Sequence, residues 1–314
     1  MLVTGGAGFI GSHVVDRLIS NGNEVSIVDN LVTGRAANIH PRARLYQLDI
    51  RDPRLVEVIR AERPEVIYHQ AAQMSVKVST DDPQYDAQVN VLGLLNVLEA
   101  SVAARVGKII FASSGATYGN PERLPFDEDA PQRPESPYGI SKMVAEHYLA
   151  YYSRDRGLAY AALRYANVYG PRQDAHGEAG VVAIFTRQLL AGETPTIHWD
   201  GEQVRDYVYV EDVAAANLAA AGATASGCYC IGTGVGTSVN RLYELLCQHL
   251  GVHVTPRRAA RRAGDLRAAY FDTRRAGAEL GWRARVPLEE GLTRTVRWFR
   301  DAANASAEST TRAG

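Results

Sequence analysis

The chain is poor in cysteine and lacks any long apolar run. Three cysteines, Cys228, Cys230 and Cys247, stand among 314 residues. They are too few for a disulfide framework, and the Cys-x-Cys pair has no second pair with which to hold zinc, so no metal is expected. They read as small hydrophobes in a reducing cytoplasm. Apolar runs are broken by Gly, Asn or charges well short of the roughly 20 residues a membrane span needs. No leader precedes the first apolar strand, so the expectation is a cytoplasmic protein that meets no membrane. The net charge is −1, and no basic stripe interleaved with aromatics is present, which argues against a nucleic-acid partner. Residues 301–314 are small, polar and aperiodic and read as a disordered tail. No internal repeat is visible.

What is present begins at once. Met1-Leu-Val-Thr-Gly5-Gly-Ala-Gly8-Phe9-Ile10-Gly11 joins an apolar strand to a glycine turn and then to a helical pattern. Backbone N–H groups can approach a pyrophosphate only where no Cβ intervenes, which Gly5, Gly8 and Gly11 allow. A second strand, Glu24-Val-Ser-Ile-Val-Asp29, ends in an acid 18 positions past Gly11, where a carboxylate can accept both adenosine ribose hydroxyls. Asp29, followed by Asn30 rather than arginine, favours NAD, because a carboxylate repels a 2′-phosphate. Arg35 nearby keeps the phosphorylated cofactor as the alternative. Read without ligand, the segment is a tight turn and a surface aspartate.

Strand-like runs at Arg44–Gln47, Val66–His69, Lys108–Ala112 and Tyr160–Arg164 alternate with helical patterns at Pro53–Arg63, Asn90–Ala104 and Tyr138–Arg156. That alternation predicts an α/β fold, a doubly wound (Rossmann) parallel sheet covered on both faces. Asp49, with Ile50 behind it, ends one strand where adenine is expected. Ala71, Ala72 and Gln73 end another with small residues that permit close cofactor contacts. The texture becomes loop-rich after Asn167. The expected organisation is a dinucleotide domain over 1–166 with a returning segment at about 205–232, a smaller α/β substrate domain over 167–300, and the tail.

Tyr138 and Lys142 lie four apart on one helical face and can converge. A free phenol has a pKa near ~10, and an adjacent ammonium favours phenolate, so the pair can act as a base. The alternative is a surface Tyr and Lys on an ordinary amphipathic helix. The run Lys108-Ile-Ile-Phe-Ala-Ser113-Ser114 brings hydroxyls to the carboxyl edge of the sheet, where they can bond a substrate oxygen or cap a turn.

The glycine spacing, Asp29, the serine-ended strand, Tyr138-x-x-x-Lys142 and Leu163-Arg-Tyr-Ala-Asn167-Val-Tyr-Gly170-Pro-Arg172 occur in one order that resembles the extended short-chain dehydrogenases/reductases. The resemblance is to their NAD-dependent sugar-nucleotide epimerase/dehydratase family, most of all the UDP-glucose 4-epimerases, and it covers about residues 1–300. It implies Ser114, Tyr138 and Lys142 as catalytic residues. It implies a tightly held NAD at Gly5, Gly8, Phe9, Ile10, Gly11, Asp29, Asn30, Asp49, Ile50, Ala71, Ala72, Gln73 and Asn90, with Tyr138 and Lys142. It implies a UDP-sugar at Asn167, Val182, Thr196, His198, Arg205, Arg262, Asp265 and Ala269. A homodimer joined through the helices at 90–104 and 138–156 is implied as well. Where these epimerases often carry threonine two residues past the serine, this chain has Ala116; the hydroxyl is absent or supplied by Thr117. Sugar-nucleotide dehydratases carry Asp-Glu after the hydroxyl, where Gly115-Ala116 stands here. A UDP-glucuronic acid 4-epimerase, and a non-catalytic NAD-sensing scaffold, remain the alternatives.

Overall fold

The structure, a computed structural model, describes residues 1–120, 123–175, 180–261 and 265–312, with side chains as far as residue 305. The first half runs β1 (Leu2–Thr4), α1 (Phe9–Ser20), β2 (Ser26–Asp29), β3 (Arg44–Gln47), α2 (Leu55–Glu62), β4 (Val66–His69), α3 (Val76–Asp81) and α4 (Pro83–Ala87). A π-turn (Gln88–Leu92) then leads into α5 (Gly93–Ala103), β5 (Lys108–Ser114), α6 (Pro137–Arg156) and β6 (Ala159–Tyr165). The second half holds β7 (Asn167–Tyr169), α7 (Val181–Leu190), β8 (Thr196–His198), β9 (Val204–Tyr209), α8 (Val210–Gly222) and β10 (Gly227–Ile231). It closes with β11 (Gly236–Ser238), α9 (Val239–Leu250), β12 (Arg257–Ala259), β13 (Ala268–Ala269), α10 (Arg274–Leu280) and α11 (Leu288–Arg312).

Seven parallel strands form one sheet in the order β10-β6-β5-β4-β1-β2-β3. The order reverses between β1 and β4, and the crevice beyond their carboxyl ends is where such sheets take a ligand. Helices on both faces explain why the inner strands carry continuous apolar runs rather than alternation. One core lies between the sheet and α1 with α8, around Val14, Leu18, Ile27 and Val213; the other lies under α2, α5 and α6, around Leu55, Ile67, Leu98 and Leu149. A second, four-stranded sheet is centred on β9 and includes β7, β11 and β13, while β8 pairs with β12. Its core joins Phe185, Tyr207, Tyr209, Leu242 and Val296.

Two expectations need correction. The returning segment contributes α8 and β10 to the large sheet, but its first strand, β9, belongs to the second one. An apolar run has no label for the sheet it joins; Tyr207 and Tyr209 choose by packing with Phe185 and Val296. The stretch from 301, read as a disordered tail, continues α11 as far as Arg312. Leu292, Val296 and Phe299 anchor that helix in the core, and the alanines that follow, Ala302, Ala303 and Ala305, are strong helix formers.

Beneath the sheet's carboxyl edge lies a buried ion pair. Arg164 of β6 clamps Glu146 of α6 with Nε and Nη2 at 2.9 and 2.7 Å, both side chains being 5% exposed. Ser113 donates to Glu146 Oε1 at 2.5 Å, and Gln132 to Oε2 at 2.8 Å. Arg164 also donates to the Tyr118 hydroxyl and to Glu128 O. The pair thereby ties α6, β5, β6 and the loop after β5 together. Arg164→Leu leaves the Glu146 carboxylate buried without its cation and is expected to cost about 3–5 kcal/mol of stability. Urea denaturation checks this, and a loss below about 1 kcal/mol would mean that water or a proton reaches Glu146.

Candidate active site

The glycine turn is closed by its own backbone. At Gly5, φ is +70°, and a Cβ there would lie 2.6 Å from Ala71 N; a Cβ at Gly11 would lie 2.1 Å from Gly5 O. These contacts hold β1, the first turn of α1 and the end of β4 too close for side chains. Gly8 is the N-cap of α1 and no side chain caps that end, so the helix's first N–H groups, where the dipole favours an anion, are left for a ligand. Phe9 and Ile10 open the helix. Asp29 stands at the end of β2, 6% exposed, and accepts from Ala7 N at 2.9 Å and Leu31 N at 2.8 Å. Those bonds fix its carboxylate at the mouth of the cradle. Asn30 donates to Asp49, which Arg51 also grips, Nε and Nη2 both at 2.8 Å. Ile50 is buried, and Gly93 lies directly against it.

At the other side of the crevice, β5 and α6 bring the hydroxyls and the amine together. The two serines of β5 separate here. Ser113 faces inward onto Glu146, whereas Ser114 accepts from Ala116 N at 3.1 Å and lowers the proton affinity of the Tyr138 phenol. Lys142 donates to Ala112 O at 2.8 Å and lies 4.7 Å from the Phe111 ring centroid and 5.7 Å from that of Tyr138. Burial pushes the Tyr138 phenol up to about 12, against the lowering effect of Ser114, and Asp86 adds to the rise. Burial brings the Lys142 ammonium down to about 8, against the opposing pull of Asp86 and Glu146. In the protein alone burial is the leading influence on the phenol. Thr117 does not replace the hydroxyl missing at Ala116 either; it is fully buried and donates to Ser114 O at 3.0 Å.

The sequence signature of the NAD dependent epimerase/dehydratase family matches residues 1–232. The chain belongs to that family. Among solved structures, a UDP-glucose 4-epimerase from Thermotoga maritima, crystallised with UDP-glucose, is 49% identical with a TM-score of 0.94, covering 96% of this chain and 99% of that one. The UDP-glucose 4-epimerase of Mycolicibacterium smegmatis is 45% identical, covering 96% of this chain and 98% of the relative. A UDP-N-acetylglucosamine 4-epimerase from Methanobrevibacter ruminantium, in complex with UDP-N-acetylmuramic acid, is 35% identical with a TM-score of 0.92, covering 96% and 98%.

The residues present fit the NAD after which the epimerase/dehydratase family is named. The glycine cradle leaves no room for a Cβ, the N-terminus of α1 is uncapped, and Asp29 sits beside the turn with oxygen lone pairs to offer. Ala71, Ala72 and Gln73 follow β4 across the same crevice. Asn90 occupies the π-turn, a widened helical turn frequent at functional sites; its side chain is bonded to both backbone groups of Gln73.

In the second half, Arg205 is held by Val204 O and Leu266 O at 2.8 and 2.9 Å, and burial lowers its proton affinity. Asn167 is exposed at the start of β7, Thr196 and His198 lie on β8, and His198 Nδ1 is 3.1 Å from Ala260 O. Val182 is 1% exposed within the second core, so its side chain is not available to a ligand; only its backbone, in the uncapped first turn of α7, could serve. Arg262 lies outside the described residues, and Asp265 just inside them. Ala269 shares a face of its strand with Phe271, which packs against Gly115 and Tyr118, whereas Tyr270 turns to the opposite side, against Gly236. Cys230, where the family usually has asparagine, is fully buried with its sulfur 3.2 Å from the Tyr118 hydroxyl.

Several site-forming residues escaped the sequence. Glu146 repeats the spacing of Tyr138 and Lys142 once more along α6, and that spacing was the available signal. Asp86, 1% exposed and bonded to Gln73 and Asn90, and Asp206, 1% exposed and accepting from Thr233 and Gly234, carry no local signature. Among the described residues no cluster of metal-ligating side chains occurs, and no helix is long and apolar enough to cross a membrane.

Proposed function

We propose that the chain interconverts a UDP-hexose and its carbon-4 epimer, UDP-glucose and UDP-galactose, through a transient 4-keto sugar. The observation that carries this reading is the Ser114–Tyr138–Lys142 group at the carboxyl edge of β5, beside the glycine cradle, in a chain that matches UDP-glucose 4-epimerases over nearly its whole length. NAD, when bound, accepts hydride from carbon 4 and returns it, so it is regenerated within each turnover and has no need to leave. The Tyr138 phenolate oxygen is the group that takes the proton of the sugar's 4-hydroxyl. Ser114, on the adjoining end of β5, orients the same sugar oxygen. Lys142, as an ammonium beside the ring, favours the phenolate. Burial raises the phenol in the protein alone, and positive charge in the crevice favours its ionised form.

Arg205 and Asp265 support the reading of the second half as a diphosphate and nucleoside anchor, with planar guanidinium suited to phosphate oxygens. A tight anchor and a loosely held sugar let the keto intermediate turn over between hydride transfers. Elimination of water, as in a dehydratase, finds no support: Gly115-Ala116 stand where dehydratases carry Asp-Glu. The chain reads as a cytoplasmic homodimer joined through α5 and α6. Leu92, Ile140 and Tyr151 are 58%, 46% and 44% exposed along these helices, an apolar face of the kind that marks an interface. Sedimentation showing only monomer at micromolar concentration would remove the dimer.

Tyr138→Phe is expected to leave the fold and the retained NAD in place and to lower turnover of UDP-galactose by roughly a hundredfold or more, the scale of one general base. Near-normal turnover would move the base elsewhere, and preference of the wild type for UDP-glucuronic acid would move the substrate. Ala269 marks the wall proposed to face carbon 2 of the sugar. Its small side chain supports acceptance of the N-acetylhexosamine forms, and Ala269→Tyr should cut activity on UDP-N-acetylgalactosamine far more than on UDP-galactose. An NMR assay with both substrates decides it; wild-type protein that ignores the N-acetylated sugar at saturation would refute the wall.

A further inference from the structure

Lys142 is enclosed by more charge than its own helix supplies. On α6, Tyr138 and Glu146 lie one turn to either side, and the Glu146 charge is already offset by the two-pronged Arg164 of β6. From β4 comes His69, which burial pushes down to about 3, so it is neutral over the working range. From α4, which packs against α6, comes Asp86. It is 1% exposed, and Gln73 Nε2 and Asn90 Nδ2 donate to its Oδ1 at 2.8 and 2.9 Å. The same Asn90 amide reaches Ser141 Oγ, the neighbour of Lys142, at 3.3 Å. Amide donors fix a carboxylate in place without neutralising it. Asp86 is thus a held, buried carboxyl group, tied through Asn90 to Ser141, the chain neighbour of Lys142.

We propose that Asp86 is the counter-charge that keeps Lys142 an ammonium beside Tyr138, a positioning residue that sets the pH range of the proton-handling pair without touching substrate. This rests on the reading of Tyr138 and Lys142 as that pair. Burial alone pulls the lysine towards its neutral form, and Asp86 is the leading influence opposing it. The same charge also makes the Tyr138 phenol harder to ionise. Removing it should therefore move both groups downward, displacing the whole activity profile to lower pH.

The chain has only three lysines, Lys77, Lys108 and Lys142, so lysine carbon-13 NMR resolves each titration in the protein as purified. Loss of one resonance in Lys142→Arg assigns it. Lys142 is expected to titrate near 8 in the wild type. In Asp86→Asn its midpoint should fall by about one unit or more, the scale for losing a nearby opposite charge. Lys77, which is exposed, and Lys108, held by Ala220 O and Ala223 O, should not move. The alkaline limb of kcat against pH should descend in step, and Asp86→Glu, which retains the charge, should restore the wild-type midpoint. An unmoved Lys142 midpoint in folded Asp86→Asn, with kcat lowered equally at every pH, would reduce Asp86 to packing and overturn the proposal. If Asp86→Asn fails to fold, Asp86→Ser gives the same reading with a smaller neutral acceptor. The midpoint is read without substrate, so a wild type inactive on UDP-galactose would count against the epimerase reading alone.

Discussion

Charge buried along one face of α6 constrains most of what surrounds it. Tyr138, Lys142 and Glu146 recur at four-residue intervals at the carboxyl edge of the sheet, the lysine and glutamate buried and the tyrosine half-buried. A buried charge is tolerated only when it is paired and hydrogen-bonded. Glu146 draws Arg164 from β6, Ser113 from β5 and Gln132 from the loop before α6. Lys142 draws the Ala112 carbonyl. The helix, two strands and two loops are therefore positioned by the needs of three side chains. The reactive edge is rigid because its alternatives leave ions unpaired.

The glycine turn imposes the complementary constraint at the other side of the crevice. There the requirement is closeness of backbone to backbone, and the contact of Gly11 with Gly5 O leaves no tolerance for a side chain. One wall of the crevice is thus built from bare peptide suited to phosphate, and the other from buried ionisable groups suited to moving a proton. Strand order places the two walls side by side, since β1 and β5 flank β4 in the sheet. The second sheet and its arginine stand beyond the same edge, with β7 following directly from β6.

Tyr138 shows why a motif and its environment are different kinds of information. Its spacing to Lys142 marks a pair, and the structure brings the two together. Its surroundings add what the spacing does not carry: burial raises the phenol, Ser114 opposes the rise and Asp86 adds to it.

Sequence alone determined the features whose physics is local. The glycine turn, the acid ending β2, the strand–helix alternation and the Tyr138–Lys142 spacing each follow from backbone sterics or helical period, and each can be read within a few dozen residues. The bounds of β3 and β4 matched those read from composition. Tertiary structure decided whatever depends on partners distant in the chain. It chose the sheet that β9 joins, and it separated Ser113 from Ser114 by pointing one at Glu146 and the other at Tyr138. It buried Val182, committed Thr117 to a carbonyl and extended α11 on anchors in the core. It also brought Asp86 to Lys142 across 56 positions of sequence. Burial and charge pairing are properties of three-dimensional surroundings, and no period or spacing along the chain encodes them.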